Sequence, residues 1–284
     1  MINKNNNIIY KPSLINRFGK YFLLFLKSFL SEYKYGQISK YIHSIYKKIL
    51  RQKYLISYLL KYVFLNKENK KKKYLTYKLL PFTMGGHHAL ENAHDITNIV
   101  DKNEIDGCII ECGVAEGGTA AMMALTNKLN QKIQRKLFLF DSFEGLPDPT
   151  EEDYIGDTAG EFIRPLSRGD CLGTIDQVRD LFINTVKMDQ AKFQLIQGWF
   201  QDTVTSFDIK EKISILRLDG DWYESTKIPL IHFYPHVSIG GAVIIDDYAT
   251  CYGSRKAVDE FLENNSINTK LISDRRGGAW FIKE

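Results

Sequence analysis

The feature that most constrains this chain is residues 109–119, Ile-Ile-Glu-Cys-Gly-Val-Ala-Glu-Gly-Gly-Thr. An apolar run beginning at Cys108 meets one acid, Glu111. Glycines follow at 113, 117 and 118, and then an Ala/Met/Leu-rich helical pattern runs through 119–129. Strand, glycine turn and helix in that order let an α/β sheet present bare backbone N–H groups to a ligand at a helix N-terminus. Gly113 and Gly117 lack a Cβ, which permits positive φ and a close ligand approach. The dinucleotide fingerprint G-x-G-x-x-G is not met, because Ala115 stands where its second glycine belongs. Glycine turns of this kind also occur where no nucleoside binds, so the stretch defines a folding unit before it defines a ligand.

The remainder of the chain repeats the alternation. Helical spacing through Leu90, Ala93, Ile96 and Val100 precedes the turn. A second apolar strand, 137–140, is closed by Asp141, where a carboxylate can accept both ribose hydroxyls of a nucleoside. An acid is also ordinary at a strand end. Residues 147–173, rich in Asp, Gly and Pro, predict a long excursion of the kind that covers sites. A helix over 175–182 and a strand over 193–197 follow. Next come a strand over 213–218 ending at Asp219, a helix over 225–234, and a strand over 242–245 ending at Asp246 and Asp247. Gly253 precedes a helix over 257–263, and Arg275-Arg-Gly-Gly278 leads into a hairpin or edge strand at 279–282. The pattern predicts an α/β fold with a doubly wound, mostly parallel, Rossmann-like sheet. No internal repeat is visible.

Charge divides the chain in two. Of its 38 basic and 34 acidic residues, 18 and 2 fall within residues 1–78, leaving 20 and 32 for the rest. The expected domains are a basic, aromatic helical arm over 1–80 and an acidic body over 81–284. Apolar stretches at 18–30 and 54–65 are interrupted by lysine, and both are shorter than the ~20 residues that span a bilayer. Tyr41, Ile42, Ile45, Tyr46 and Ile49 recur at helical spacing among lysines, which suits an anionic membrane surface; aromatic stripes more often pack against protein, here by covering the core or building a homo-oligomer interface. Lys70–Lys73 with Asn66 and Asn69 reads as a solvated linker. No nucleic-acid motif accompanies the charge, so nucleic acid is not expected as a partner. Four cysteines without metal spacing and no secretory signal point to the cytoplasm, with the inner face of the membrane as the alternative.

Asp219 and Asp246 are separated by one crossover unit, so parallel strands deliver both to the sheet edge where open α/β sheets bind ligands. Asp247 adjoins, and Asp221 lies two residues past Asp219. Converging carboxylates repel unless a cation sits among them, and oxygen-only ligands suit Mg²⁺. The alternative is that Asp219, Asp221 and Asp247 cap the helices that follow them. No histidine occurs between His94 and His232, so the proton acceptors to consider are Asp219 and Asp221.

Five motifs together resemble the TylF (macrocin O-methyltransferase) family: Glu111-Cys-Gly-Val-Ala-Glu-Gly-Gly, Asp141-Ser-Phe-Glu-Gly-Leu-Pro, Leu218-Asp-Gly-Asp-Trp-Tyr-Glu-Ser-Thr, Ile245-Asp-Asp-Tyr and Gly253-Ser-Arg-Lys-Ala-Val-Asp-Glu-Phe. The resemblance runs from about residue 83 to the C-terminus and implies a class I methyltransferase domain using S-adenosylmethionine and Mg²⁺ to methylate sugar hydroxyls of a glycan or glycosylated metabolite. It places Glu111, Gly113, Gly117 and Thr119 around the methionine end of the cofactor, Asp141 with Ser142 at the ribose, and Gly198, Trp199, Phe200 and Gln201 beside the adenine. Thr83 and Met84 resemble a leading segment that folds over the cofactor. Asp219, Asp246 and Asp247 would hold the metal. The related catechol enzymes carry a lysine three residues past the first metal aspartate; here that position is Trp222. The arm lies outside the resemblance. Two rival expectations are an NAD(P)-dependent oxidoreductase, disfavoured by Ala115 and the acids, and a membrane-peripheral scaffold without catalysis.

Overall fold

Along each central strand, successive side chains enter two different apolar cores, as a sheet covered on both faces requires. Ile109, Leu139, Ile215 and Ile244 belong to one core, and Ile110, Phe140, Leu216 and Ile245 to the other. The computed structural model describes residues 8, 21–22, 25–130, 135–155, 158–159, 166 and 168–284. Parts of the apolar stretch 18–30 and of the excursion at 147–173 therefore lie outside the described residues.

Helices α1 (Glu32–Lys61), α2 (Lys67–Leu79) and α3 (Gly86–Lys102) precede β1 (Cys108–Cys112), α4 (Gly118–Asn130) and β2 (Leu137–Asp141). Then follow α5 (Ile175–Asp180), β3 (Phe193–Gln197), α6 (Phe200–Thr203), β4 (Ile213–Leu218), α7 (Tyr223–Phe233), β5 (Val237–Ile245), α8 (Tyr252–Asn264), β6 (Ile272–Ser273) and β7 (Ala279–Ile282). One seven-stranded sheet has the order β3-β2-β1-β4-β5-β7-β6. The first five of these strands pair in parallel, and β7 runs antiparallel to both β5 and β6. Helices α3 and α4 pack together over the first core, and α7 and α8 over the second. The chain order reverses between β1 and β4, so the crevice at their C-terminal ends is the topological switch point of the sheet.

Several boundaries differ from the sequence reading, each for a physical reason. The lysine run is no linker: residues 67–79 form α2, whose N-cap Asn66 accepts a hydrogen bond from the Asn69 N–H at 2.9 Å. Its lysines are spread around the helix, while Leu75 and Leu79 are buried in the first core beside Tyr54 of α1. The helix expected at 175–182 continues beyond α5 as a π-helical turn, Leu181–Val186. Gly253 lies inside α8 rather than ahead of it, because a Cβ there would overlap the Asp153 carboxylate. That same carboxylate accepts the Tyr223 N–H at 2.6 Å. Asp153 thus satisfies the N-terminus of α7, and neither Asp219 nor Asp221 is needed as its cap.

Because Leu79 is fully buried among core side chains, Leu79→Ala is expected to cost about 2–5 kcal/mol of folding stability. Chemical denaturation checks this. An unchanged midpoint would mean that α2 does not belong to the core.

Candidate active site

The register of the sheet assembles the site. Glu111 of β1 lies directly across from Arg217 of β4, and side chains two apart along a strand share a face. Asp219, two residues past Arg217, and Asp246, two past Ile244, therefore reach the same side of the sheet edge. The Arg217 guanidinium joins them. Its Nη1 donates to Glu111 Oε1 at 2.6 Å and to Asp219 Oδ2 at 2.8 Å, and its Nη2 donates to Asp246 Oδ1 at 2.6 Å. Arg276, from the turn between β6 and β7, donates to the other oxygen of Asp246. Sequence reasoning missed Arg217. Its signal was an arginine between Leu216 and Leu218 in a strand otherwise fit for complete burial, where a charge must find partners.

Oxygens of Asp219, Asp246 and Asp247 lie within 4.8 Å of one another. A second group, within the same limit, joins Asp247 to Asp221 and Cys251. The Cys251 thiol donates to Asp221 Oδ1 at 3.7 Å, and the Thr250 hydroxyl to Asp247 Oδ1 at 3.3 Å. These acids do not occupy the N-cap positions: the N-cap residues of α7 and α8 are Trp222 and Cys251, whose own side chains make no cap bond. A divalent cation fits the donor set. The cluster is all carboxylate, and two guanidinium charges face four neighbouring acids, Glu111, Asp219, Asp246 and Asp247. The arginine bonds leave lone pairs on each carboxylate oxygen they use.

Beside this cluster lies the glycine turn. Gly113 has φ +90°, and a Cβ there would overlap the backbone carbonyl oxygen of Asp219. The absent side chain thus lets the ends of β1 and β4 touch; the close neighbour is this backbone. Ala115 also has positive φ, at 46°. Asp141 holds the turn, its Oδ2 accepting the N–H groups of Val114 at 2.7 Å and Ala115 at 2.9 Å, and its Oδ1 accepting Phe143 N–H at 2.7 Å. Burial raises its carboxyl, with those three N–H donors pulling the other way. Ser142 donates to the Gly145 carbonyl at 2.8 Å. Gly198 donates its N–H to the Asp141 carbonyl, which sets 198–201 beside the turn.

Glu111 is fully buried. The Thr119 hydroxyl donates to its Oε1 at 2.5 Å, and its Oε2 has no hydrogen-bond partner among the described residues. An acceptor so placed beside the glycine turn suits the ammonium of an amino-acid-bearing cofactor. Thr83 and Met84 line a small cavity with Leu80 and Gly86, and its opposite wall is Tyr46, Lys47 and Leu50 of α1. Lys47 pairs with Glu116 of the glycine turn. The arm therefore helps enclose the site, which its composition did not reveal. Trp222 is buried and donates through Nε1 to the Pro147 carbonyl at 3.0 Å, tying the start of the excursion to the edge of the site.

The sheet order, the glycine turn and the acid-tipped strands are those of class I methyltransferases, and the comparisons agree. The solved O-methyltransferase NovP superposes with a TM-score of 0.62 at 33% identity, covering 71% of this chain and 82% of NovP. Demethyldecarbamoylnovobiocin O-methyltransferase of Streptomyces niveus is 36% identical over 200 residues, which is 70% of this chain and 74% of that protein. The 8-demethyl-8-(2,3-dimethoxy-alpha-L-rhamnosyl)-tetracenomycin-C 4'-O-methyltransferase of Streptomyces olivaceus is 32% identical over 199 residues, 70% of this chain and 74% of that protein. The family described as Macrocin-O-methyltransferase (TylF) matches residues 22–283. The chain belongs to the TylF family and is an O-methyltransferase.

Burial pushes the Glu111 carboxyl up to about 7. Between the ordinary carboxylate range and that value the folded chain holds a proton that the unfolded chain has released, so this group's contribution to stability falls as pH rises through the window. Glu111→Gln is expected to flatten that fall in Tm in the unliganded protein and to weaken S-adenosylhomocysteine binding by about tenfold. Thermal melts across pH, with calorimetry, check both. A variant that keeps the wild-type slope and affinity would contradict the assignment.

Proposed function

We propose that the chain transfers a methyl group from S-adenosylmethionine to a sugar hydroxyl of a glycan or glycosylated metabolite, with Mg²⁺ held by Asp219, Asp246 and Asp247. The observation that carries this reading is the convergence of those three carboxylates at the sheet's switch point, beside the unmet acceptor of Glu111. The rhamnosyl acceptor named for the Streptomyces olivaceus relative supports a sugar.

When bound, the metal would lower the pKa of an acceptor hydroxyl and offset developing negative charge on its oxygen. The chain's own residues do the rest. Glu111 and Thr119 take the methionine end of the cofactor; Gly113 and Gly117 allow the turn its shape. Asp141 accepts the ribose hydroxyls with its remaining lone pairs, next to Ser142, and Gly198, Trp199, Phe200 and Gln201 border the base. Thr83 and Met84, backed by Lys47, close over it and exclude water. Arg217 fixes Asp219 and Asp246 before any ligand arrives, so alignment costs little at the moment of reaction.

Asp219 and Asp221 are the two candidate proton acceptors. Asp219 is paired with Arg217. The Cys251 thiol donates to Asp221 Oδ1, and both residues lie within 4.8 Å of an Asp247 oxygen.

Asp221→Asn is expected to lower kcat by about 10²–10⁴-fold with S-adenosylhomocysteine affinity retained. Asp219→Asn should likewise lose turnover more than cofactor affinity. EDTA should abolish transfer to a rhamnoside acceptor, and added Mg²⁺ should restore it. Full activity in excess chelator would refute the metal role, and equal collapse of cofactor binding in Asp219→Asn would make that residue structural.

A further inference from the structure

The long helix α1 has two apolar faces, of which one meets the rest of the protein among the described residues. Tyr54 is buried against the core, Lys47, Leu50 and Arg51 are half-buried, and Lys47 reaches Glu116. On the opposite side, Ile38, Ile45, Ile49 and Ile56 recur at spacings of seven, four and seven, which at 3.6 residues per turn makes a single ridge, and Val63 continues it in the 3-10 turn Tyr62–Phe64 that follows α1. All five are exposed, and the ridge broadens at its end into Leu59, Leu60 and Phe64, with exposures of 60%, 73% and 87%. It runs for roughly 37 Å at ~1.5 Å per residue. Lys48 and Lys53, both exposed, lie on its two flanks by helical position, and Lys61 and Lys67 are exposed at its far end. Residues 33–67 contain eight lysines and arginines and no acid.

From this pattern we propose that the outer face of α1 docks on an anionic membrane surface. An apolar ridge with lysines beside it matches the boundary between acyl chains and acidic headgroups, where lysines near the surface are attracted to the anionic lipid. Exposed Tyr41, Tyr62 and Phe64 supply the aromatic groups that favour that boundary. A second copy of the chain is the poorer match. Its ridge would bring another set of basic residues alongside the first, with no acid in 33–67 to pair them. The docking is peripheral, because no helix among the described residues is long and apolar enough to cross a membrane. The inner face of the docked helix walls the cavity at Thr83 and Met84.

The test is co-sedimentation of the full-length protein with vesicles of phosphatidylcholine alone and of phosphatidylcholine mixed with phosphatidylglycerol. Association with the anionic vesicles is expected to exceed that with the neutral ones by about tenfold or more at low ionic strength and to weaken with salt. The double variant Ile56→Glu/Val63→Glu should lose that association. Both changes lie on an exposed face, so its Tm and its S-adenosylhomocysteine affinity should stay at wild-type values; these controls separate a failure of the docking surface from a failure of the methyltransferase site. Equal affinity for the two vesicle types would overturn the proposal, as would wild-type binding by the variant. So would a wild-type dimer in sedimentation analysis that ignores vesicles and that the variant dissociates, which would assign the ridge to a second copy.

Discussion

The site depends on one buried cation. Arg217 sits in the middle of a sheet whose neighbouring strands each contribute an acid, and its guanidinium reaches Glu111 on β1, Asp219 past β4 and Asp246 past β5. Guanidinium is the suitable cation for this place, because its planar fork bonds several carboxylates at once and stays charged when desolvated. Without it, the fully buried Glu111 would be left without a cation among the described residues and Asp246 would keep only Arg276; breaking a buried pair of this kind costs about 3–5 kcal/mol. With it, the strand tips are set in register and the acids keep a net negative charge toward the crevice.

The two halves of the site meet through backbone as much as through side chains. Gly113 lets the turn after β1 touch the carbonyl of Asp219, so the shape of the glycine turn and the position of Asp219 are one constraint. Asp141 binds that turn from the β2 side with three backbone hydrogen bonds. A change at any of these residues is therefore felt on both sides of the crevice. Trp222 and Asp153 extend the same logic outward. The first ties the excursion at Pro147 to the site, and the second links it to the start of α7.

The alternation of strands and helices was legible in the chain because each strand is short, apolar and ended by an acid or glycine, signals that tertiary context seldom overrides. The acids at 219, 246 and 247 were legible for the same reason: parallel topology alone brings adjacent strand tips together. What escaped depends on distant partners. A single arginine between two leucines does not announce three carboxylates on other strands. The lysines of 70–73 hid a helix whose buried face is only Leu75, Thr76 and Leu79. Nothing near Asp153 marks it as the cap of a helix seventy residues later, and nothing near Lys47 marks Glu116 as its partner. Asp219, Asp246 and Asp247 do converge, but the cation that organises them was not seen.

The central claim is that this arginine-braced cluster grips a divalent ion beside the cofactor turn. Crystals grown with S-adenosylhomocysteine and Mn²⁺, measured for anomalous scattering, test it most directly. The account predicts one strong peak within coordinating distance of Asp219, Asp246 and Asp247, with Arg217 still bonded to Glu111. A fully occupied cofactor site with no anomalous peak among those carboxylates would contradict it.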